Sequence, residues 1–287
     1  MAEDLFSKIG SLEADLMPQQ KKVADYFLSH LQELPFQTTS DISMETGVSE
    51  PTVIRFVRLL GYKGFVDFRD QLQSKFLEEF GPSERFEKVS AVHKNLEEVV
   101  SSMFEMEVHN LRETRKGLDI RRIEEIVRAI IAARTKYIIG LRTTSGSAYV
   151  LGRVLSHILP NVLTILDGDV RMYENLRAIG KEDVLITISY PRYLKNTVEA
   201  LQFAKLRKAT TIAITDSQLS PTAQMSTYSI IAPSNSLTFA NSYTACFSVI
   251  NLLMAAIIQI HSGKEMKAVL DEWKKSLEHF QFFYKND

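Results

Sequence analysis

Residues 38–72 read TTSDISMETGVSEPTVIRFVRLLGYKGFVDFRDQL, and this stretch decides the fold of the first part of the chain. Ser40 is placed to cap a first helix running through Thr46. Gly47 supplies the permissive backbone of a tight turn, and Ser49 caps a second helix with Pro51 in its tolerated first turn. That second helix is predicted over 50–60. Val53, Phe56, Val57 and Leu60 recur on it at helical spacing and face a core, which turns Thr52, Arg55 and the 49–51 end outward. An aromatic-rich third helix follows. Two short helices about a glycine turn have the outline of a helix-turn-helix, whose outward N-terminal residues meet base edges and phosphates in a major groove. The candidate DNA-binding residues are Thr39, Ser40, Ser49, Glu50, Pro51, Thr52, Arg55, Arg58 and Lys63. A helical hairpin inside an ordinary all-α domain shares that outline, so the conjunction of further residues carries the reading.

That conjunction is Gly47-Val48-Ser49, Thr52-Val53-Ile54-Arg55-Phe56 and Leu60-Gly61-Tyr62-Lys63-Gly64-Phe65 in one order, preceded by Lys22-Val23-Ala24-Asp25-Tyr26-Phe27. Over residues 1–77 it resembles the N-terminal domain of the RpiR family of bacterial transcriptional regulators, where a KVADYI-like run and GFKGF-like residues occur. The resemblance implies double-stranded operator DNA as a partner.

The chain of 287 residues is 45% hydrophobic and 24% charged, with a formal net charge of −1, which fits a cytoplasmic protein of about two domains. Its one cysteine, Cys246, excludes an internal disulfide framework and a thiolate-rich zinc site; it lies in the apolar run 245–258 and reads as core. No metal site and no cofactor are predicted. The opening MAEDLFSKIGSLEADL carries charges where an export signal needs apolar residues. The longest apolar run, 249–260, is interrupted by Asn251 and falls short of the roughly 20 residues that span a bilayer, so no membrane association is expected.

Charge qualifies the DNA reading. Residues 1–80 hold 8 Lys and Arg against 13 Asp and Glu, whereas DNA binders usually carry a basic footprint. Positive charge gathers between Gly47 and Lys75, where Arg55, Arg58, Lys63, Arg69 and Lys75 meet only Glu50, Asp67 and Asp70. One copy should therefore bind weakly, and a homodimer or homotetramer presenting paired units to a two-fold operator is expected.

Gly81-Pro82-Ser83 breaks the helical pattern and marks a hinge. Beyond it, Leu96, Val99, Val100, Met103, Phe104, Met106 and Leu111 give a helix one apolar side, read equally well as packing or as a subunit seam, before Gly117 ends it. Asp119 then caps a helix with Ile123, Ile126, Val127, Ile130 and Ile131. From Lys136 the pattern changes to short apolar runs, 137–139, 162–166, 184–188, 211–215 and 228–232, alternating with helices such as 146–158 and 196–207. This predicts a three-layer α/β domain with a five-stranded parallel sheet covered on both faces. Ligands of such sheets sit where strand carboxyl ends feed into helix N-termini. Two loops stand out there: 140–147, GLRTTSGS, and 189–193, SYPRY. Hydroxyls, free N–H groups and arginines in such loops suit an anion. The candidate ligand-binding residues are Arg142, Thr143, Thr144, Ser145, Ser147, Ser189, Arg192 and Tyr193. Alternatively the hydroxyls are plain caps, and the arginines are solvated or paired with Asp167 or Asp169.

The strand-loop-helix 139–148, the run 183–189 and 212–217 followed by Ser220-Pro221 resemble the sugar isomerase (SIS) domain, of flavodoxin-like fold, over residues 125–262. The resemblance implies a carbohydrate-derivative effector. Members that bind phosphosugars show GxGxS and SxSGxT in these loops, but this chain has an arginine, Arg142 and Arg192, in place of glycine in each. The altered pocket widens the expected effector to anionic metabolites generally, sugar phosphates or sugar acids.

The expected organisation is a helix-turn-helix domain over 1–80, linker helices over 81–124, a SIS ligand-binding domain over 125–262 and a C-terminal helix over 263–287, whose Met266, Leu270, Trp273, Leu277 and Phe280 form one stripe. The expected function is transcriptional regulation without catalysis, an anionic metabolite modulating operator binding. A sugar-phosphate isomerase-like enzyme with an accessory helical domain would instead need a placed acid and base. His157, read as packed inside a helix, and Glu174 and Glu199, read as exposed, do not supply one. A ligand-free dimerisation module is the third reading.

Overall fold

The computed structural model describes residues 2–12, 16–30, 34, 37–79, 95–261 and 264–279. The chain divides into two compact units, Met1–Met106 with Asn235–Asn241, and Glu107–Ser234 with Ser242–Asp287. The Gly81-Pro82-Ser83 break and Phe280 lie outside the described residues, as do the side chains of Met266 and Leu277.

The first unit is helical: α1 (Ala2–Leu12), α2 (Pro18–Ser29), α3 (Thr39–Thr46), α4 (Glu50–Leu59), α5 (Phe65–Glu79) and the start of α6 (Leu96–Gly117). Pro18 opens α2 without the loss of a bond, because the first helical N–H groups have no intrahelical partner. The cap of α3 is Thr38, not Ser40: Thr38 accepts from the Asp41 N–H, and the Asp41 carboxylate accepts from the Thr38 N–H at 2.7 Å. That reciprocal pair needs an acceptor three residues after the cap, which Asp41 gives Thr38 and Ser43 does not give Ser40 with the same strength. Gly47 ends α3 with φ 64°, the left-handed conformation that glycine adopts at least cost. Val53, Phe56 and Val57 of α4 are fully buried, as are Phe27 of α2 and Phe68 of α5. Their rings interlock: Phe27 stacks on Phe68 at 5.0 Å and meets Phe56 edge-on at 5.5 Å. Three helices thus share one aromatic centre, which fixes the direction in which α4 presents its outer edge. On α6, Leu96, Val99, Val100, Met103 and Phe104 are exposed and Met106 is buried.

The second unit begins with the rest of α6 and with α7 (Ile120–Ala132), capped by Asp119, which accepts from the Arg121 N–H at 2.9 Å. It continues β1 (Lys136–Gly140), α8 (Ser145–Ser156), β2 (Val162–Ile165), α9 (Val170–Leu176), β3 (Val184–Ile188), α10 (Lys195–Leu206), β4 (Thr210–Thr215), α11 (Pro221–Met225), β5 (Tyr228–Ile231), α12 (Thr244–Ile260) and α13 (Lys264–His279). All strand pairs are parallel, in the order β2-β1-β3-β4-β5. Every residue of β1 and β3 is buried, as continuous apolar runs require of strands covered on both faces. One face packs α7, α8 and α12 through Ile126, Ile130, Leu151, Leu155, Val249 and Leu253. The other packs α9 and α10 through Met172, Leu176, Leu201 and Ala204. Cys246 is fully buried on α12, in the core.

His157 does not sit inside α8 but terminates it, stacked at 4.6 Å on Trp273 of α13. Burial and the charge of Arg153 hold its pKa below the ordinary histidine value. Glu174 is exposed, but Glu199 is engaged, accepting from Tyr173 and Lys195.

At the amino edge of the sheet the buried Asp183 accepts from Arg134 Nε at 3.0 Å and Nη2 at 2.6 Å, and from the Gly180 and Thr135 N–H groups. Burial alone would raise this carboxyl, but the Arg134 hydrogen bonds, the two backbone donors and the Arg134 charge outweigh it and hold it below the usual carboxylate range. Its folded pKa being depressed, Asp183 contributes stability that is present above the ordinary Asp range and lost as pH falls through the folded value. Asp183→Asn should therefore melt lower than wild type at pH 7. The gap should narrow as the pH of the melting series is taken below about 4.

Candidate ligand site and nucleic-acid interface

α4 ends its buried stripe at Leu60 and leaves the opposite side open: Ser49, Glu50, Pro51, Arg55 and Arg58 are exposed, and Thr52 is half-buried. Ser49 holds the cap position with extended backbone. Its hydroxyl, however, pairs with Thr52 Oγ1 at 3.0 Å rather than with a backbone N–H. Arg55 Nη2 donates to the same Thr52 oxygen at 2.9 Å, so three polar side chains line the edge in one row. Thr39 Oγ1 donates to Glu50 Oε2 at 2.5 Å and links the starts of α3 and α4. Beside this row, Thr39 and Arg58 line a shallow cleft of about 380 Å³ with Ile54, Gly64 and Arg69. Ser40 and Lys63 are exposed on the same unit. The predicted contact set therefore lies open to solvent except at Thr39 and Thr52, which are half-buried.

In the second unit the strand order makes the site. β1 is followed by β2 on one side, while β3 is followed by β4 on the other, so the loops leaving the neighbouring carboxyl ends of β1 and β3 diverge. Such a switch point opens a crevice. Here a cleft of about 660 Å³ is lined by Leu141, Arg142 and Ser145 after β1, by Leu166 to Asp169 and Arg171 after β2, and by Leu194 and Asn196 after β3. Gly140 is obligatory at the first turn: a Cβ there would lie 2.6 Å from the Thr144 carbonyl oxygen and 2.6 Å from Ala148 Cβ. Asn196 Nδ2 donates to the Gly168 carbonyl at 2.6 Å and joins the loops after β2 and β3.

The predicted ligand residues divide by what their polar groups already do. Thr144 is buried and closes its own turn by donating to the Leu141 carbonyl at 2.8 Å. Thr143 accepts from the Tyr243 hydroxyl at 2.7 Å, and Tyr193 donates to Asp216 at 2.8 Å. Ser147 and Ser189 are buried, and Ser145 is half-buried at the start of α8. Arg142 and Arg192 are exposed and pair with no acid among the described residues. Their backbones are left-handed, φ 56° and 65°, which costs a residue with a Cβ about 1 kcal/mol. Asp167 and Asp169, by contrast, share one partner, Arg171, at 3.8 and 2.8 Å, and the Arg171 guanidinium holds Asp169 below the usual carboxylate range.

Sequence reading missed the third wall. Asp167-Gly168-Asp169 is a turn signal directly after an apolar run, and it would have placed the β2 loop at the same edge. Tyr243 and the buried Tyr190 gave no such signal. Their rings meet edge-on at 5.6 Å beneath the loops, an approach between residues 53 positions apart.

Residues 3–79 match the helix-turn-helix domain of the rpiR family, and residues 129–256 match the SIS domain. The chain belongs to the RpiR family of transcriptional regulators. This regulator is 27% identical over 232 residues to an uncharacterised HTH-type transcriptional regulator of Haemophilus influenzae, covering 79% of each protein. Its second unit is similar to the sugar isomerase domain of an RpiR transcription factor from Sphaerobacter thermophilus, with a TM-score of 0.58 and 28% identity, over 61% of this chain and 97% of that one. The Vibrio vulnificus NanR protein, solved in complex with ManNAc-6P, shares the fold at a TM-score of 0.58 and 20% identity over 96% of this chain and 98% of that one.

Because a Cβ at Gly140 meets backbone on one side and α8 on the other, Gly140→Ala should force the β1 loop to move. Overpacking of this kind costs about 1–3 kcal/mol. Denaturant unfolding of the variant should show a loss in that range; an unchanged midpoint would contradict the close approach.

Proposed function

We propose that this regulator reads a two-fold operator through the exposed edge of α4 and senses an anionic carbohydrate derivative, a sugar phosphate or sugar acid, at the carboxyl edge of its sheet. The observation that carries the reading is the pair of exposed arginines, Arg142 and Arg192, which make no direct ion pair among the described residues and stand on the loops that diverge at the β1 and β3 switch point. Ser145, Ser147 and Ser189 accompany them as hydroxyl donors. The ManNAc-6P complex of the structurally similar NanR supports a ligand of this chemistry.

Two carboxylates near the crevice already serve structure. Asp169 caps α9, and Asp216 accepts from Tyr193 and Thr215. This supports binding rather than catalysis at the site. The acidic balance of residues 1–80 supports a homodimer or homotetramer, since two reading units are needed to gather enough phosphate contacts. Operator DNA as partner supports a cytoplasmic location. The anion acts by binding one arrangement of the paired reading units better than another, with a coupling of about 1–3 kcal/mol.

Two substitutions separate the two halves. Arg55→Ala should weaken operator binding and reduce its salt dependence by about one unit of slope, while leaving the melting shift caused by the anion intact. Ser189→Ala should shrink that melting shift and leave operator binding without the anion intact. Fluorescence anisotropy and thermal melting read the two. Equal loss of both functions in either folded variant would refute the division.

A further inference from the structure

The chain passes between its two units three times, after Met106, Ser234 and Asn241. The short segment 235–241 belongs to the reading unit although it lies between β5 and α12, and within that unit Asn235 Nδ2 donates to Asp70 Oδ1 of α5 at 3.2 Å. Glu107 and Ser242, the residues at which the chain enters the second unit from the first, are bonded to each other. The Ser242 hydroxyl lies 2.8 and 2.7 Å from the two carboxylate oxygens of Glu107, and Ser242 Oγ accepts from the Thr244 N–H at the start of α12. Glu107 stands on α6, a single helix whose first turns, through Met106, belong to the reading unit. A displacement at Ser242 therefore acts on two of the three crossings at once.

The next residue, Tyr243, touches both loops of the sheet edge. Its hydroxyl donates to Thr143 Oγ1 on the β1 loop at 2.7 Å, and its ring meets Tyr190 of the β3 loop edge-on at 5.6 Å. Because Thr143 accepts this bond, its own hydroxyl proton is left to donate elsewhere, and among the described residues no acceptor takes it. Thr143 is exposed and follows Arg142, a residue of the cleft wall. An anion that accepts this proton polarises the Thr143 hydroxyl and strengthens the bond from Tyr243, since hydrogen bonds in a chain reinforce one another. Resting on the anion-sensing reading above, we infer that Tyr243 is the positioning residue through which the anion site governs the reading unit. The anion accepts from Thr143, Thr143 holds Tyr243, and Tyr243 fixes the Ser242–Glu107 pair where the chain crosses. An effector alters operator affinity only as far as it favours one arrangement over another, and the bond from Tyr243 to Thr143 is the contact that differs between them.

The full-length protein tests this with inorganic phosphate, glucose 6-phosphate and 6-phosphogluconate as anions and an operator fragment selected from genomic DNA. Fluorescence anisotropy gives the factor by which a saturating concentration of the tightest of the three changes operator affinity, and thermal melting shows that the anion is bound. Tyr243→Phe keeps the ring against Tyr190 and removes only the hydroxyl. It should lower the factor by about two- to tenfold, as the loss of one hydrogen bond requires. Thr143→Val should do the same, and the double variant should fall no further than either single one. Ser242→Ala should also lower the factor while leaving anion affinity without DNA unchanged. An unchanged factor in any of the three folded single variants, or reductions that multiply in the double variant, overturns the inference. If Tyr243→Phe does not fold, Thr143→Val, at an exposed position, and Ser242→Ala decide it. A wild-type factor of one with the anion bound overturns it while anion binding stands. If none of the three anions shifts wild-type melting, the anion-sensing reading fails, and the inference with it.

Discussion

Parallel pairing of β1 with β3 is the constraint on which the second unit depends. Hydrogen bonding in register, Lys136 beside Val184 through to Gly140 beside Ile188, brings two strand ends level at one edge, although Ile188 lies 48 positions after Gly140 in the chain. Because the chain leaves those ends in opposite directions, no connection covers the space between them. The remaining features protect that geometry. Asp183 and Arg134 tie the opposite edge, Gly140 lets α8 approach the sheet, and Asn196 binds the carbonyl of Gly168 across the opening. The loop side chains at this edge are thereby held on short turns anchored to buried strands, which keeps them in position at little entropic cost.

An equivalent constraint in the first unit is the aromatic centre of Phe27, Phe56 and Phe68. Burying one side of α4 so completely leaves its other side no role within the unit. A helix that spends Val53, Phe56 and Val57 on the core must offer Ser49, Thr52 and Arg55 to the surroundings. The short polar row on that edge is internally bonded, which orders its hydroxyls and guanidinium.

How much was legible depended on whether the determinant was local. Strand positions were readable to within one residue at each end because buried strands leave unbroken apolar runs, and α4 was readable because its period alternates cleanly. Ser40 was misread as a cap because serine is a good cap in isolation; the reciprocal bond between Thr38 and Asp41 decides the matter. His157 was misplaced because helix ends carry weak signals, and its stacking partner Trp273 lies more than a hundred residues away. In the site, the arginines in place of glycine were visible in the sequence, but only the backbone shows that the left-handed turns persist beneath them. The roles of Tyr243 and of the β2 loop depend on contacts between distant segments, which no local pattern encodes.

The two halves gain meaning only together, for an anion bound at the sheet edge matters to a regulator through its effect on DNA. Thermodynamic linkage makes that effect reciprocal: whatever factor the anion imposes on operator affinity, the operator must impose on anion affinity. The most direct measurement is therefore a pair of titrations at fixed salt, using an operator fragment selected from genomic DNA and the tightest anion found by melting. One follows operator binding with and without the anion, the other anion binding with and without operator. The account predicts the same factor from both, in the range of about five to a hundred and fifty. An anion that binds tightly yet leaves operator affinity unchanged would contradict it.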